Sequence, residues 1–321
     1  MSAIQFQLRQ ATQSDLPEIA ALISEGYSFD GLTIVQTAEE LEEEFGGPYC
    51  FLDQDVMVAE YESRIIGVGY TYFLPSEIKE ERCYTFGTVK PSLRGNGIGT
   101  EIMQWTTERA EKLLRSTNRT IPKYLRSDVS TSNTSAAYLF QKFNMSPVRW
   151  NEDLIIDLND SPEVFVSPGY SVIPWDSTRD EEARTVKNLA FMDHWGSTPT
   201  NEEGWDQLVH SSTAKLDQSF FALDKNGGII GLLLSHRYES DDETLGKRIG
   251  WIDKLATLSE HRGKAVGKSL ITHALAAYQR DGLTHAALDV DTENPTGAYG
   301  LYTAVGFSTF RGSVTYERKV Q

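Results

Sequence analysis

The sequence is poor in cysteine and in long apolar runs. Its two cysteines, Cys50 and Cys83, have no metal-ligand spacing, so we expect two free thiols and no metal site. No apolar run approaches the roughly 18 residues needed to span a bilayer. The N-terminal MSAIQFQLRQ also lacks the apolar stretch of a signal peptide. Together these absences predict a cytoplasmic location.

Basic residues are also scarce. The chain has 30 lysines and arginines against 46 aspartates and glutamates, a formal net charge of -16. This excess of acid argues against non-specific binding to nucleic acid or to an anionic membrane, because both need a basic face. We therefore expect no nucleic-acid partner and no membrane partner. The charge is equally compatible with a cationic substrate and with an ordinary solvated surface.

An internal duplication is visible in the 321 residues, a length that suits two domains of about 150 residues each. Two segments share a β-rich stretch, a turn containing Arg and Gly, and an amphipathic helix. Arg94 and Arg262 in these turns lie 168 positions apart, while Asn133 and Asn294 further along lie 161 apart. Two matched pairs at nearly one offset indicate tandem copies. The segment NDSPEVFVSPG separates them, and we predict domains at residues 1–160 and 168–321.

Both halves show the same order of predicted elements, β-α-α-β-β-β-α-β-α-β-β. The first opens with a strand at Phe6 to Arg9 and a helix capped near Asp15, and the second has a helix over residues 180–192. Turn residues at Glu62-Ser63 and Asn226-Gly227 predict hairpins. Alternating strands and helices of this kind predict an α/β fold with a mixed sheet.

A glycine-containing turn leads into a helix in each copy, as RGNGIG (residues 94–99) and RGKAVG (residues 262–267). A helix N-terminus offers unpaired N–H groups and a positive dipole end, which suit a phosphate. Each arginine is placed either to cap the loop or to pair with phosphate oxygens. The dinucleotide-binding G-x-G-x-x-G is absent, and the Walker A pattern fails by one position before Gly267-Lys268-Ser269.

Both turns fit the pattern [RQ]-x-x-[GA]-x-[GA], and the second copy continues with Asn294, Ala298, Leu301-Tyr302 and Gly306-Phe307. With these motifs the chain resembles the GNAT (GCN5-related N-acetyltransferase) superfamily along essentially its whole length, as two tandem domains. The resemblance implies a twisted mixed sheet whose central strands splay apart to admit the pantetheine arm of acetyl-CoA. It also implies acetyl transfer to the primary amine of a small molecule by direct attack in a ternary complex.

The resemblance assigns acetyl-CoA as cosubstrate and places its contacts on the turn and on the strand before it. The family's general acid corresponds to Tyr302, although an aromatic helix residue that only packs on the sheet would look the same. The implied cofactor-binding residues of the second copy are Ala256, Thr257, Leu258, Arg262, Gly263, Lys264, Ala265, Val266, Gly267, Lys268 and Asn294. Those of the first copy are Val89, Arg94, Gly95, Asn96, Gly97, Ile98 and Gly99.

Acetyl transfer to an amine also requires a general base and residues that bind the acceptor. Strand alternation places Asp253 on the face of Thr257, and a desolvated carboxylate there would have a raised pKa. The alternative is an ordinary ion pair between Asp253 and a neighbour such as Lys254. In the resemblance the acceptor lies near the loop between the first two helices, which points to His194 and Trp195 as substrate-binding residues.

The first copy departs from the pattern at several positions. Phe140 stands where the second copy has Tyr302, and the offset of 168 matches Trp251 and Asp253 with Cys83 and Thr85. We therefore expect a catalytically degenerate first domain and a catalytic second one, an architecture similar to mycothiol synthase. Two alternatives remain open: acetylation of an amino-sugar-linked cysteine, as in mycothiol synthase, and a non-catalytic acyl-CoA sensor.

Overall fold

Two compact units make up the protein, whose computed structural model describes residues 5–294 and 297–320. The first unit takes the described residues up to Arg149 and those from Ser313 onward, and the second runs from Trp150 to Gly312. Through its first eleven elements the chain forms β1 (Gln7–Gln10), α1 (Leu16–Phe29), α2 (Ala38–Gly46), α3 (Leu52–Asp55), β2 (Val56–Tyr61), β3 (Arg64–Leu74), β4 (Glu81–Val89), α4 (Ile98–Ser116), β5 (Lys123–Ser130), α5 (Thr134–Lys142) and β6 (Ser146–Asp157).

The second half of the chain repeats this order, except that its short extra helix comes before its fourth strand rather than before its second. Its elements are β7 (Ser171–Pro174), α6 (Asp180–Ala190), α7 (Glu202–His210), β8 (Phe220–Leu223), β9 (Ile229–Arg237), α8 (Asp242–Leu245), β10 (Ile249–Thr257), α9 (Val266–Arg280), β11 (His285–Asp291), α10 (Ala298–Val305) and β12 (Ser308–Val320). The predicted order holds except at its end and for the four-residue helices α3 and α8, which it lacks. Among the described residues one strand, not two, follows the last helix of each half.

Each unit has a mixed sheet, which confirms the predicted α/β class. In the first unit β1 to β5 lie in sequence order, and in the second the order is β11-β10-β9-β8-β7. The pairs β4–β5 and β10–β11 are parallel, whereas β2–β3, β3–β4, β8–β9 and β9–β10 are antiparallel. Helix α4 packs on one face of the first sheet and α1 with α2 on the other. In the second sheet, α9 and α6 take the corresponding faces.

The last strand of each sequence copy completes the sheet of the other unit. Residues 313–320 of β12 pair antiparallel with β5 in the first unit, and residues 151–157 of β6 pair antiparallel with β11 in the second. The compact units therefore divide the chain at Arg149 and Gly312, whereas the sequence predicted residues 1–160 and 168–321. The difference arises because hydrophobic pattern defines a strand but not which sheet its edge joins.

Local sequence accounts for the boundaries of several elements. Thr37 caps α2 by accepting a hydrogen bond from the Glu40 N–H, and the Glu40 side chain accepts a hydrogen bond from the Thr37 N–H. Glu62 and Ser63 both have positive φ, +49° and +59°, in the two-residue turn between β2 and β3. Both predicted hairpins are confirmed, the second with a longer loop in which Gly227 has φ +83°.

The core of the second unit forms between β9–β10–β11 and α9. Tyr278 of α9 is fully buried, and its hydroxyl lies 2.7 Å from Ser235 Oγ and donates to the Trp251 carbonyl at 3.2 Å. Both cysteines are buried and free, as predicted. No helix among the described residues combines the length and the apolar character that a membrane crossing requires.

We expect Gly250→Ala to destabilise the protein by about 1–3 kcal/mol, because a Cβ at this site would lie 2.8 Å from ring carbons of Tyr278. Gly300→Ala is the matched control, since a Cβ there meets no heavy atom within 4 Å and α10 gains a better helix former. Urea unfolding midpoints compare the two variants. Equal midpoints would show that the Tyr278 contact relaxes freely.

Candidate active site

The two parallel strands of the second unit pair for four residues and then separate. Their register runs from Ile249 opposite His285 to Ile252 opposite Leu288. Beyond this point β10 continues to Thr257 without pairing to β11, while it stays paired to β9 on its other side. The backbone groups of β10 that face the gap are therefore not used by β11. A narrow slot of this kind accepts an extended chain that forms strand-like hydrogen bonds.

A β-bulge lies where the slot begins. On β9, Ser235 pairs with Ile252 and Leu234 pairs with Lys254, so Asp253 is an extra residue with no partner. An extra residue reverses the alternation of side chains that follow it. The prediction that Asp253 and Thr257 share a face is therefore wrong. Asp253 lies on the α6 side, whereas Thr257 approaches Gly231, which faces Leu270 of α9.

The turn after β10 leads directly into α9. Gly263 has φ +72° and Ala265 has φ +59°, so two residues of this turn are left-handed, one of them with a side chain. Ala265 is the N-cap and its side chain accepts no hydrogen bond. The first N–H groups of a helix have no acceptor inside it, and they point toward this turn. The arrangement is a concave set of backbone donors suited to a phosphate or diphosphate.

Lys264, Gly267 and Lys268 of the same turn contact neighbouring residues. Lys264 Nζ donates to the Glu260 carbonyl at 2.9 Å, and Ser167 donates to the Lys264 carbonyl. Lys268 Nζ lies 5.2 Å from the centre of the Phe165 ring. A Cβ at Gly267 would lie 2.9 Å from Leu301 Cδ2, so glycine allows α10 to approach α9 closely.

Arg262 braces the turn from behind. Its Nε donates to the Thr257 carbonyl at 3.2 Å and its Nη2 to the Ala190 carbonyl at 2.7 Å. Arg94 repeats this role in the first unit, donating to the Val89 carbonyl and forming a bidentate pair with Asp30. Of the two roles left open by the sequence, both arginines take loop capping.

Tyr302 lies in the buried interior of the second unit, on α10. Its ring is 8% exposed and makes an edge contact with Phe307 at 6.2 Å. Burial, and then the charge of Asp289, raise the pKa of Tyr302 above its usual range. The phenol therefore stays protonated at any working pH. Asn294 lies before this helix, where its N–H donates to the Asp291 carbonyl at 3.1 Å.

Asp253 belongs to a charged cluster on the α6 side. Its Oδ2 lies 2.9 Å from Lys254 Nζ and 3.9 Å from His236 Nε2. Burial raises the pKa of Asp253, but Lys254 and His236 outweigh burial, and its pKa lies below the usual value. The expected upward shift is therefore wrong, whereas the alternative of an ion pair with Lys254 is confirmed. The sequence did not show that His236 also lies beside the carboxylate. Asp253 is an ionised group.

His236 is a site residue that sequence reasoning missed. It is 5% exposed on β9, and burial lowers its pKa even though Asp253 opposes this change. Its Nδ1 lies 2.9 Å from Thr213 Oγ1, while its Nε2 faces Asp253. The surrounding segment IIGLLLSHR is buried throughout, and so it reads as a core strand with no catalytic signal. His236 pairs with Trp251 on the neighbouring strand β10, and this pairing places it at the site. The sequence does not show the pairing, because the two residues lie on different strands.

The predicted acceptor residues lie just beyond the end of α6. His194 packs on Phe191 with ring centres 4.4 Å apart, and Trp195 is 36% exposed. Asp193 beside them lies 3.6 Å from Arg262, and this ion pair links the segment to the phosphate-type turn. The segment is therefore adjacent to the turn, with an exposed aromatic surface.

The first unit differs from the second at the place where its parallel strands, β4 and β5, separate after Tyr84 and Arg126. Its strand β4 pairs with β3 without any register shift from Arg82 to Val89, so it has no bulge. Where β4 and β5 stop pairing, Thr85 Oγ1 and Ser127 Oγ form a buried hydrogen bond of 2.6 Å across the gap. The turn itself is present, with Gly95 and Gly97 at φ +82° and +88°. The first copy thus keeps the donors but has a side-chain hydrogen bond, and no bulge, where its parallel strands separate.

Cross-strand pairing also corrects how the copies correspond. Trp251 lies opposite His236, and Tyr84 lies opposite Tyr72, which makes Tyr84 rather than Cys83 the counterpart of Trp251. Asp253 has no counterpart, so Thr85 does not match it. Phe140 remains the counterpart of Tyr302 and packs on Tyr316 with ring centres 5.3 Å apart.

Comparison with known proteins gives one consistent family. The family described as "Acetyltransferase (GNAT) family" matches residues 181–307, and the one described as "Acetyltransferase (GNAT) domain" matches residues 53–144. Together these ranges cover more than half of the chain. A search of curated proteins finds no match.

Three solved structures share the fold over 98% of this chain. A GCN5-related N-acetyltransferase from Sphaerobacter thermophilus is 24% identical, with a TM-score of 0.77 and 96% of that chain covered. A tandem GNAT protein from the clavulanic acid biosynthesis pathway is 16% identical, with a TM-score of 0.68 and 98% of that chain covered. A fungal multi-domain GH3 β-N-acetylglucosaminidase contains a GCN5-related glucosamine N-acetyltransferase region that is 17% identical. The TM-score for this fungal structure is 0.72, and the match covers 38% of the fungal chain.

Proposed function

The chain belongs to the GNAT acetyltransferase family and is an acyltransferase with two GNAT domains in tandem, and from this premise we propose that its second unit alone transfers acetyl groups. The proposed reaction moves an acetyl group from acetyl-CoA to the primary amine of a small molecule. The slot between β10 and β11, which begins at the bulged Asp253 and leads to the α9 turn, carries this proposal. The first unit, which has no bulge and in which a side-chain hydrogen bond joins β4 and β5, serves as a scaffold.

Acetyl-CoA would lie along the slot. The N–H groups from Gly263 to Lys268 suit its diphosphate, and the part of β10 beyond Ile252, which does not pair with β11, suits its pantetheine amides. The acceptor amine attacks the thioester carbon, forming the C–N bond as the C–S bond breaks. The sulfur leaves as a thiolate, to which Tyr302 donates a hydrogen bond and a proton.

The proton of the attacking amine needs an acceptor. His236 is neutral at neutral pH because burial lowers its pKa, and the ionised Asp253 beside it stabilises the imidazolium that forms. The pair therefore supplies a base whose charge change is balanced within the site. His194 and Trp195 would line the acceptor's approach, with Trp195 offering a ring face to a cation.

Thiol release from acetyl-CoA across a panel of amines tests the activity. The panel contains simple alkylamines, glucosamine and a glucosamine-linked cysteine, so that the acceptor of a mycothiol-synthase-like reaction is represented. We expect turnover with at least one primary amine. Tight acetyl-CoA binding without thiol release from any of them would favour the acyl-CoA sensor.

Asp253→Asn should lower kcat/KM by about 10-fold to 100-fold and move the acidic limb of the pH profile to lower pH. The carboxylate raises the pKa of His236, so its removal leaves that pKa lower still. His236→Asn should abolish the limb. His210→Asn on the exposed end of α7 is the control for loss of an imidazole. An acidic limb that stays in place in Asp253→Asn would separate His236 from the pH dependence.

A further inference from the structure

Aromatic side chains cover the α1–α2 face of the first sheet in a two-by-two arrangement. Tyr70 and Tyr72 come from β3 and lie opposite Phe86 and Tyr84 of β4. The rings of Tyr70 and Phe86 stack with centres 5.1 Å apart, and Tyr49 lies 5.4 Å from Tyr72. Apart from Tyr70, these rings are only half-buried. We call Tyr49, Tyr70, Tyr72 and Phe86 the aromatic groove.

Glu44 on α2 places a carboxylate at this groove, because the ring of the neighbouring Phe45 makes an edge contact with Tyr70 at 5.0 Å. Its charge reaches Tyr70, Tyr72 and Cys50, whose pKa values are raised first by their own burial and then, for the two tyrosines, by Glu44. In the described part of the chain no basic side chain forms an ion pair with Glu44. Burial, followed by the charge of Glu40, raises its pKa to about 7. The site therefore holds an acid without a counter-ion.

The second unit shows that packing does not require this acid. Helices α2 and α7 are both nine residues long, and Thr37 and Asn201 cap them. Counting from the caps, Glu44 corresponds to Leu208, which packs on the core beneath α7. The neighbouring Phe45 corresponds to Val209, and both are buried. The second unit therefore has an apolar residue, Leu208, at the position where the first unit has the half-buried carboxylate of Glu44. Burying that carboxylate costs free energy.

We propose that the aromatic groove and Glu44 form a binding site for a small alkylammonium ion, separate from the acetyl-transfer site and independent of its function. A cation there gains a counter-ion in Glu44 and the negative ring faces of Tyr49 and Tyr72, which are half-buried, while Tyr70 and Phe86 stack on each other behind them. A half-buried position strengthens both attractions because water screens them less. The second unit has Leu208, His236 and Lys254 at the positions of Glu44, Tyr72 and Phe86, and so it offers no such site.

Charged groups around the site leave Glu44 as the group that titrates near neutral pH. From β3 it faces Tyr70 and Tyr72, which stay neutral because burial raises their pKa values. From its own helix it faces Glu40, and from the following loop Cys50, whose pKa burial raises. Two arginines lie at the borders and are already paired, Arg109 with Asp55 and Arg126 with Glu80 and Glu317.

Choline and its neutral isostere 3,3-dimethylbutan-1-ol test the site by calorimetry on the full chain. We expect saturable choline binding, with the isostere at least about 10-fold weaker. Choline keeps its charge at every pH, so the pH dependence reports the protein. Because Glu44 must be ionised, affinity should be constant above about pH 8 and fall about 10-fold per unit well below pH 7.

Glu44→Gln should weaken choline binding about 10-fold or more and remove the pH dependence. Glu39→Gln is its control, because it removes the same charge from an exposed position of the same helix. Tyr72→Leu should weaken binding while Tyr72→Phe keeps it, since only the latter retains a ring face. Equal binding of the neutral isostere, or equal effects of Glu44→Gln and Glu39→Gln, would overturn the proposal, as would no binding of choline. Acetyl transfer should be unchanged in all four variants.

Discussion

Tyr302→Phe is expected to lower kcat by about 100-fold or more while leaving KM for acetyl-CoA nearly unchanged. The phenol hydroxyl is proposed to act only when negative charge develops on the departing sulfur, so ground-state binding does not depend on it. The raised pKa of Tyr302 keeps the hydroxyl protonated, and the loss should therefore be the same from pH 6 to pH 9. Steady-state kinetics at varied acetyl-CoA concentration measure both parameters.

The copy in the first unit supplies the control for this substitution. Phe140 is the counterpart of Tyr302 and contacts Tyr316 in its own core, so Phe140→Leu should change stability and leave kcat within about twofold. Far-UV circular dichroism and an unfolding midpoint would verify that Tyr302→Phe is folded. Unchanged kcat in folded Tyr302→Phe would exclude Tyr302 as the acid, and a loss only at high pH would point to a titrating group elsewhere.

Local signals explain why much of the fold was predictable. The glycine-containing turns, the capped helices and the hairpin residues Glu62-Ser63 all act within a few positions of the chain, and the duplication doubled each signal. The sheets that β6 and β12 join could not be predicted from such local signals. The hydrophobic alternation in residues 151–157 and 313–320 predicts two strands, but the sheets they join are decided by edges more than 100 positions away.

The bulge at Asp253 shows why the site was harder to predict than the fold. Strands β4 and β10 are both nine residues long, and Cys83 and Trp251 stand equally far before Arg94 and Arg262. One extra residue on β10 therefore leaves no trace in the spacing of the motifs. Its consequences are nevertheless large, because it turns Asp253 toward His236 and Lys254 and sets the side-chain register of the strand that follows.

Gly263→Asp should raise the Kd of acetyl-CoA by about 100-fold, whereas Gly95→Asp should leave both affinity and stoichiometry unchanged. The two glycines occupy matching turns with φ +72° and +82°, and neither position has a heavy atom within 4 Å of a new Cβ. Aspartate tolerates this left-handed conformation, so backbone strain is similar in both variants. The difference arises because a carboxylate at Gly263 repels the diphosphate that this turn is proposed to bind.

Calorimetry gives the number of acetyl-CoA molecules bound per chain. This number decides whether acetyl-CoA binding depends on the slot or on the turn alone. We expect one acetyl-CoA per chain, because β4 lacks the bulge of β10 and the Thr85–Ser127 hydrogen bond bridges β4 and β5 directly after their last paired residues, even though the Gly95 turn presents the same donors. Gly263→Asn, neutral and equally tolerant of positive φ, should weaken binding far less than Gly263→Asp and so separates charge from shape. Two molecules per chain in the wild type, with one lost in Gly95→Asp, would show that the bridge opens and that both copies bind acetyl-CoA.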